Sequence, residues 1–148
     1  MNNQPVYVLL ADDDDDDRLF FKEALEELKI KTEILMVKDG QELIDYLSHP
    51  DVKLPNILFL DLNMPFKSGL DCLNEIKTMR HLKDIAIVIY STSASEADVE
   101  ETFLKGANVY IKKPDNFGEL KKILTQIIAI NWQFQTSKLN RENFLLSF

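Results

Sequence analysis

Short apolar runs alternate with amphipathic segments along the chain, and this alternation constrains the fold more than any other feature of the sequence. The runs are residues 6–10, 33–37, 57–60, 85–90 and 109–111. They are almost continuously apolar, which is typical of strands buried on both faces of a sheet. Between them, apolar residues recur at helical spacing, as in Phe21, Leu25 and Leu28. Successive strand–helix units predict an α/β fold, in which helices cover both faces of a doubly wound parallel sheet.

The length of the chain favours a single domain, and local signals mark the boundaries of helices within it. "SEAD" at residues 95–98 predicts a capped helix start, and Gly106 predicts the end of that helix. A chain of 148 residues, 45% of them hydrophobic, has room for one substantial core. We expect one domain over residues 1–130 and a C-terminal extension over residues 131–148 that is too short to form an output domain.

The negative charge of the chain is concentrated in one place. The formal net charge is −8, and six aspartates stand in a row at residues 12–17. No stripe of lysine and arginine with interleaved aromatic residues is present, so direct nucleic-acid binding is not expected. The N-terminal apolar run lacks a positive segment before it and is far too short for a signal peptide or a membrane span. We therefore expect a cytoplasmic protein with no membrane partner.

Chemically reactive side chains follow four of the predicted strands. They are Asp12, Asp13, Asp61, Ser91, Thr92, Lys112 and Lys113. In a doubly wound sheet, ligands bind at the carboxyl ends of the strands, where the strand order reverses. We therefore expect carboxylates, a hydroxyl and an ammonium from distant segments to meet in one crevice. Carboxylates so close together need a counter-charge, which predicts a bound cation.

Four motifs at these positions carry a family resemblance. "LLADD", "LDLNMP…SG", "IYSTS" and "YIKKP" resemble, in order and spacing, the signature segments of response-regulator receiver domains, the phosphoacceptor half of two-component signalling. The resemblance extends from Val6 to Ile128. It is strongest to the stand-alone receivers that accompany cyanobacterial-type phytochrome kinases. It implies a flavodoxin-like (βα)5 sheet with strand order 2-1-3-4-5.

The resemblance also implies a phosphoacceptor and a metal site. Asp61 is the expected nucleophile, because a carboxylate can form an acyl phosphate without prior deprotonation. Asp13 and Asp61 are expected to bind Mg²⁺ together with the backbone carbonyl of Asn63, while Asp12 contacts the ion or orients its waters. A sparse shell of carboxylates and waters is the environment that Mg²⁺ prefers.

Further roles follow from the same resemblance. Lys113 is expected to bind a phosphoryl oxygen, and its neighbour Lys112 to be exposed. Ser91 is expected to hydrogen-bond the phosphoryl group, and Tyr110 to turn inward behind it as an aromatic switch. Such phosphate-dependent contacts shift an equilibrium between two states and change a protein-interaction surface.

Some positions depart from the commonest pattern of the family. Thr92 stands where many receivers carry alanine, and together with Asn63 it is a candidate for setting the lifetime of the phosphoryl group. Ser68-Gly69 replaces a common Asp-Gly pair but keeps the glycine.

The expected function is that of a single-domain response regulator, a phosphoacceptor and not an enzyme. It is limited to self-phosphorylation from small donors and slow autodephosphorylation. A sensor histidine kinase, phytochrome-like or of another sensory type, is the expected donor, and output is expected through a downstream protein. Aromatic residues of the tail, including Trp132, Phe134 and Phe144, either fold back on the domain or form a homodimer interface.

Three alternatives remain at this point. A degenerate receiver would signal without phosphate. A haloacid dehalogenase-like phosphatase would need a second aspartate as general acid, where this chain has Asn63. A calcium-binding EF-hand would start at Asp12, but Asp17 occupies the position that needs glycine, and the preceding segment is strand-like.

The aspartates that follow the metal pair have a simpler interpretation. Asp15, Asp16 and Asp17 are expected in the first turn of a helix, where carboxylates bind free N–H groups and complement the positive end of the helix. The role of Asp14 stays open: it either modulates the affinity for the metal ion or merely faces water.

Overall fold

A computed structural model describes residues 4–134 and 145–146, which form a parallel sheet with helices on both faces. The strands are β1 (Val6–Ala11), β2 (Thr32–Val37), β3 (Ile57–Leu60), β4 (Ala86–Ser91), β5 (Val109–Lys112) and β6 (Leu145–Leu146). The helices are α1 (Asp15–Glu26), α2 (Gly40–Ser48), α3 (Gly69–Thr78), α4 (Glu96–Leu104) and α5 (Phe117–Phe134). A short 3₁₀ helix, Arg80–Leu82, lies between α3 and β4.

The strand order confirms the one that the family resemblance implied, and it locates the crevice. The order is β2-β1-β3-β4-β5-β6, and each adjacent pair is parallel. The first five strands therefore have the flavodoxin-like order 2-1-3-4-5. Strand β1 pairs with β2 on one side and with β3 on the other. The order reverses at this point, so a ligand site is expected at the carboxyl ends of β1 and β3.

The two faces of the sheet are buried under different helices. Leu58 and Leu60 pack in one core layer with residues of α2 and α3, while Ile57 and Phe59 pack in the other with residues of α1 and α5. Successive side chains of a strand point to opposite faces, so a strand covered on both sides must be apolar throughout. This is the physical reason that the strands appear as continuous apolar runs in the sequence.

Helix boundaries also agree with the sequence signals. Ser95 caps the N-terminus of α4, where its hydroxyl accepts a hydrogen bond of 3.2 Å from the backbone N–H of Asp98. Gly106 lies just beyond the end of α4 with a φ of 92°, in the left-handed region that glycine enters without steric cost.

The sixth strand is an addition that the sequence pattern did not predict. Leu145 and Leu146 pair in register with Tyr110 and Ile111 at the edge of the sheet. Helix α5 runs to Phe134, so the expected boundary after residue 130 falls inside this helix. The predicted division into a domain and an extension stays a prediction. Of the tail residues singled out above, Phe144 lies outside the described residues, and Trp132 and Phe134 are described by their backbone alone.

Candidate functional site

The sheet itself positions the backbone of three site residues. Asp12 and Asp61 directly follow β1 and β3, and their N–H groups donate to Val37 and Ala11 at 3.1 and 3.0 Å. The N–H of Lys113 donates to the Ser91 carbonyl at 2.7 Å. Sheet-like hydrogen bonding thus continues one residue past each strand, so these side chains start from rigid backbone. Ser91 is the last residue of its strand and not the first after it, a difference of one position from the sequence prediction.

Lys113 lies at the centre of the site and contacts three carboxylates. Its Nζ is 2.8 Å from Oδ2 of Asp12, 2.9 Å from Oδ2 of Asp17 and 3.3 Å from Oδ2 of Asp61. The Lys113 side chain is 8% exposed. Lys112 is exposed, as expected, and ends β5. One buried ammonium therefore neutralises charge from three separate segments of the chain.

Burial and the neighbouring charges together set the pKa values of the central groups. Loss of hydration raises the pKa of Asp61 to about 6, although Lys113 and the N–H of Asn63 both act to lower it. Burial also raises the pKa of Asp12, and the hydrogen bond with Lys113 opposes this shift. For Lys113, burial acts against the charge, but the hydrogen bonds to Asp12 and Asp17 outweigh it and raise the pKa. The Lys113 ammonium therefore stays protonated. Its positive charge does not fully compensate the burial of the Asp12 and Asp61 carboxylates, whose pKa values remain raised.

The carboxylates that face the crevice have the arrangement of a cation site. Asp12, Asp13 and Asp61 each offer an oxygen, and these oxygens lie within 4.8 Å of one another. Oδ2 of the buried Asp12 lies 2.8 Å from the Lys113 ammonium and has no other hydrogen-bond partner among the described residues. Oxygen ligands of this kind suit a hard divalent cation such as Mg²⁺. The residues present therefore fit the metal that the sequence predicted.

The loop between β3 and α3 contacts both the side chain and the backbone of Asp61. The backbone N–H of Asn63 donates to Oδ1 of Asp61 at 3.1 Å, and the Asn63 side chain is exposed. A Cβ atom on Gly69 would lie 2.2 Å from the Asp61 carbonyl oxygen. Gly69 is therefore required because α3 starts against the Asp61 backbone. Ser68 caps that helix and accepts a hydrogen bond from the N–H of Asp71.

The remaining aspartates begin α1, as the sequence predicted for three of them. Asp15, Asp16 and Asp17 form its acidic first turn. Asp14 is the N-cap, and its side chain accepts from the N–H of Asp17 at 2.9 Å. The N–H of Asp14 donates to Oδ1 of Asp12 at 3.0 Å, so the cap also fixes a carboxylate of the cation site. The Asp14 side chain is exposed, and an influence of its charge on the metal stays a prediction.

Ser91 and Tyr110 are joined through Ser93 behind the crevice. Ser91 is fully buried, and its Oγ accepts from the N–H of Ser93 at 3.2 Å. Tyr110 is also fully buried, and its hydroxyl donates to the carbonyl of Ser93 at 2.5 Å. Burial raises the pKa of Tyr110, while a hydrogen bond with Ser91 opposes the shift. Tyr110 is thus in the inward position, and Thr92 next to this network is exposed.

Two contributors to the site were not identified from the sequence. Asp17 binds Lys113, and the ring of Tyr90 lies beneath that ammonium, with 5.4 Å between Nζ and the ring centroid. Tyr90 packs edge to face against Phe21 and Phe59, so it is firmly held. Neither role has a motif, because each depends on which side chains the fold brings together. The apolar run around Tyr90 identified it as a strand residue and nothing more.

The fold and this site together define a receiver of the response-regulator type. The sequence matches the response regulator receiver domain family over residues 8–125. The chain therefore belongs to that family, as the four motifs suggested. Receiver domains are typically signalling phosphoacceptors and not enzymes.

Relatives among known proteins support this assignment. Response regulator Rcp1 of Synechocystis is 32% identical over 130 residues, which cover 85% of this chain and 88% of Rcp1. The crystal structure of the phosphorylated cyanobacterial phytochrome response regulator RcpA is 31% identical, with a TM-score of 0.80 over 88% of this chain and 96% of RcpA. The crystal structure of the Mn²⁺-bound form of Rcp1 has a TM-score of 0.75 and 31% identity, over 92% of this chain and 99% of that one. Rcp1 and RcpA, the second of which is a cyanobacterial phytochrome response regulator, are thus homologues of this chain.

The alternatives considered from the sequence are not favoured. An EF-hand needs a helix before its loop, whereas β1 precedes Asp12. A haloacid dehalogenase-like phosphatase needs a general acid two residues after its nucleophile, where this chain has Asn63. No helix of the described part of the chain is both long and apolar enough to cross a bilayer.

Proposed function

We propose that Asp61 accepts a phosphoryl group from the phosphohistidine of a sensor histidine kinase, in a Mg²⁺-dependent reaction. The observation that carries this proposal is the position of the buried Asp61 carboxylate. It lies at the point where the strand order reverses, 3.3 Å from the Lys113 ammonium and within reach of two further carboxylates. An oxygen nucleophile beside a fixed positive charge and a cation site is the arrangement that phosphoryl transfer requires.

The metal ligands in this proposal are the side chains of Asp12, Asp13 and Asp61 and the backbone carbonyl of Asn63. A bound Mg²⁺ supplies positive charge that reduces repulsion between the acidic cluster and an anionic phosphoryl group. Asp61 is ionised above a pH of about 6 and can then attack phosphorus through a carboxylate oxygen. The N–H of Asn63 holds Oδ1 of Asp61, which supports attack through the other oxygen.

Lys113 and Ser91 stabilise the phosphoryl group in this proposal. The Lys113 ammonium is positioned on the Asp61 side of the crevice, where charge develops on the transferring oxygens. Ser91 presents its hydroxyl at the end of the next strand and already hydrogen-bonds with Tyr110. Recruitment of this hydroxyl by the phosphoryl group changes the partners of Tyr110, which is how a local charge reaches the surface of α4, β5 and α5. Asn63 and Thr92 are both exposed and are positioned to influence water access and therefore the lifetime of the phosphoryl group.

We infer that the donor is a phytochrome-like histidine kinase and that the protein acts as a single-domain response regulator. The support is that RcpA is a phytochrome response regulator and that this chain covers most of RcpA and of Rcp1. Output then passes through contact with a downstream protein. The expected cytoplasmic location stays a prediction, as does the expectation that catalysis is limited to self-phosphorylation and slow autodephosphorylation.

The C-terminal tail can pack against its own domain or form a contact between two copies of the chain. Pairing of Leu145 and Leu146 with β5 supports the first alternative, in which the tail completes the edge of the sheet of its own domain. A homodimer is the second alternative. Light scattering on the full chain and on a chain ended after residue 136 distinguishes the two, because a tail-dependent dimer becomes a monomer on truncation.

Intact-mass measurement after incubation with acetyl phosphate tests the proposed chemistry. The native protein should gain one phosphoryl group in Mg²⁺ and none in EDTA, and Asp61→Asn should gain none in either. Asp71→Asn is the matched control, because Asp71 lies in the first turn of α3, outside the crevice. A native protein that gains no phosphoryl group while it still binds Mg²⁺ would support a phosphate-independent receiver.

A further inference from the structure

Lys113 contacts one carboxylate more than the proposed reaction uses. Its Nζ lies 2.9 Å from Oδ2 of Asp17, which stands 96 positions earlier in the chain on the first turn of α1. The Asp17 side chain is 38% exposed, whereas the side chains of Asp12 and Asp61 are 0% and 7% exposed. Of the three described carboxylates that contact Lys113, Asp17 is therefore the one that can turn into water at least cost.

The number of donors on the ammonium makes this third partner significant. A lysine ammonium has three N–H donors, and Lys113 has three carboxylates around it at 2.8, 2.9 and 3.3 Å. A phosphoryl oxygen can bind Lys113 once one of these carboxylates gives way. Asp12 is buried within the cation site, and Asp61 is the nucleophile. Asp17 is the partner that remains.

We propose that Asp17 restrains the phosphorylation of Asp61: its carboxylate holds the Lys113 ammonium beforehand and has to yield it to a phosphoryl oxygen. This inference rests on the proposed function. With acetyl phosphate, an Asp61 carboxylate oxygen forms a bond to phosphorus while the bond from phosphorus to the acetyl oxygen breaks, and acetate leaves with that electron pair. One N–H of Lys113 exchanges Asp17 for a phosphoryl oxygen, and no proton is transferred.

The competition gives Asp17 an effect opposite to that of a supporting residue. Its carboxylate occupies a donor that the phosphoryl group needs, and its charge repels the incoming anion. Asp17→Asn should therefore raise kcat/KM for acetyl phosphate, which here is the second-order rate constant for the single modification of Asp61, by about two- to fivefold. This is the size of a partly exposed ion pair, and the gain should come mainly through a lower KM. A residue with a merely structural role would leave kcat/KM unchanged or lower it.

Matched variants separate the contact from general charge effects. Asp16→Asn removes the same charge from the same helical turn, but Asp16 is exposed and has no described contact with Lys113. It should leave kcat/KM within the error of the native value. Asp17→Glu keeps a carboxylate at the same position and should return kcat/KM towards the native value.

A second measurement tests the contact between Asp17 and Lys113 in the metal-free protein and does not depend on an activity assay. In EDTA, Asp17→Asn, Lys113→Met and the double variant form a thermodynamic cycle. Their shifts in the urea midpoint of unfolding should be non-additive, because each single change removes the same ion pair. The corresponding cycle with Asp16→Asn should be additive.

Two sets of results would overturn this inference. The first is an Asp17→Asn variant whose kcat/KM equals that of Asp16→Asn or falls below the native value. The second is an additive cycle between Asp17 and Lys113. If the native protein is modified at Asp61 and either result appears, this inference alone fails. If the native protein is not modified at all, the proposed function fails and this inference fails with it.

Discussion

The Lys113 ammonium lies 3.3 Å from Oδ2 of Asp61, and this contact joins the carboxyl end of β5 to that of β3 across the intervening strand β4. The two residues are 52 positions apart in the chain, so their contact depends entirely on the parallel sheet. The pair combines a nucleophile with the positive charge that its reaction needs.

Removal of this ammonium should nearly abolish phosphorylation. Lys113→Met takes away the charge that stabilises the transferring oxygens, and loss of one such donor typically costs about 10²–10³-fold in rate. Lys112→Met is the control, because Lys112 is exposed and adjacent. The rates with acetyl phosphate, followed by intact mass, should fall for Lys113→Met alone. Equal rates for the two variants would contradict the role of Lys113.

The raised pKa of Asp61 should appear in the stability of the metal-free protein. The pKa of an aspartate side chain is ordinarily 3.8, and that of Asp61 in the folded protein is about 6. Folding therefore favours the protonated form of Asp61. The stability contributed by this group is present below about pH 4 and is lost as the pH rises through about 6.

Asp61→Asn should therefore stabilise the metal-free protein at pH 8 by about 1–3 kcal/mol, a gain that shrinks towards zero near pH 4. Urea unfolding in EDTA at pH 4, 6 and 8 measures this difference directly. Asp16→Asn, an exposed aspartate, provides the matched charge change. A difference between Asp61→Asn and the native protein that is independent of pH would show that Asp61 is not buried as described.

The cation site should depend on Asp13 although that residue is exposed. Asp13 contributes one of the three oxygens that lie within 4.8 Å of one another. Asp13→Asn should weaken Mg²⁺ binding by at least about tenfold, since even indirect changes around metal ligands cost that much. Calorimetric titration with Mg²⁺ gives the affinity, with Asp16→Asn as the control for net charge. Equal losses in both variants would mean that the acidic run acts through bulk charge and not through coordination.

The inward position of Tyr110 should contribute to stability. Tyr110→Phe keeps the buried ring but removes the hydroxyl that donates to the Ser93 carbonyl at 2.5 Å. The loss should be about 0.5–1.5 kcal/mol in the free energy of unfolding. Urea denaturation of the two proteins in EDTA gives the comparison. Unchanged stability would indicate that Tyr110 is outward in solution and that its hydroxyl stays in water.

Much of the fold could be predicted because its strands are buried on both faces. A strand such as Ile57–Leu60 must be apolar at every position, so it stands out as a run in the sequence. Ligands bind at the carboxyl ends of parallel strands, and this rule alone predicts that Asp12, Asp61 and Lys113 meet in one crevice. The predicted ends of these five strands lie within one residue of the observed ends, as at Ser91.

The features that were missed depend on tertiary contacts that leave little local pattern. Leu145–Leu146 is too short for a periodic signal, and its pairing with β5 is visible only in three dimensions. Asp17 looked like one more helix-start aspartate, because nothing in the sequence shows that Lys113 lies beside that turn. The sequence indicated that Gly69 is needed, but the reason, its close approach to Asp61, required the fold.

The measurement that tests the central claim most directly is to locate the phosphoryl group. After incubation with acetyl phosphate and Mg²⁺, borohydride reduces an aspartyl phosphate to homoserine, and peptide mass spectrometry then identifies the converted residue. Conversion of Asp61 is expected, and of no aspartate in the run at residues 12–17. Conversion within that run, or at any aspartate in place of Asp61, would contradict this expectation.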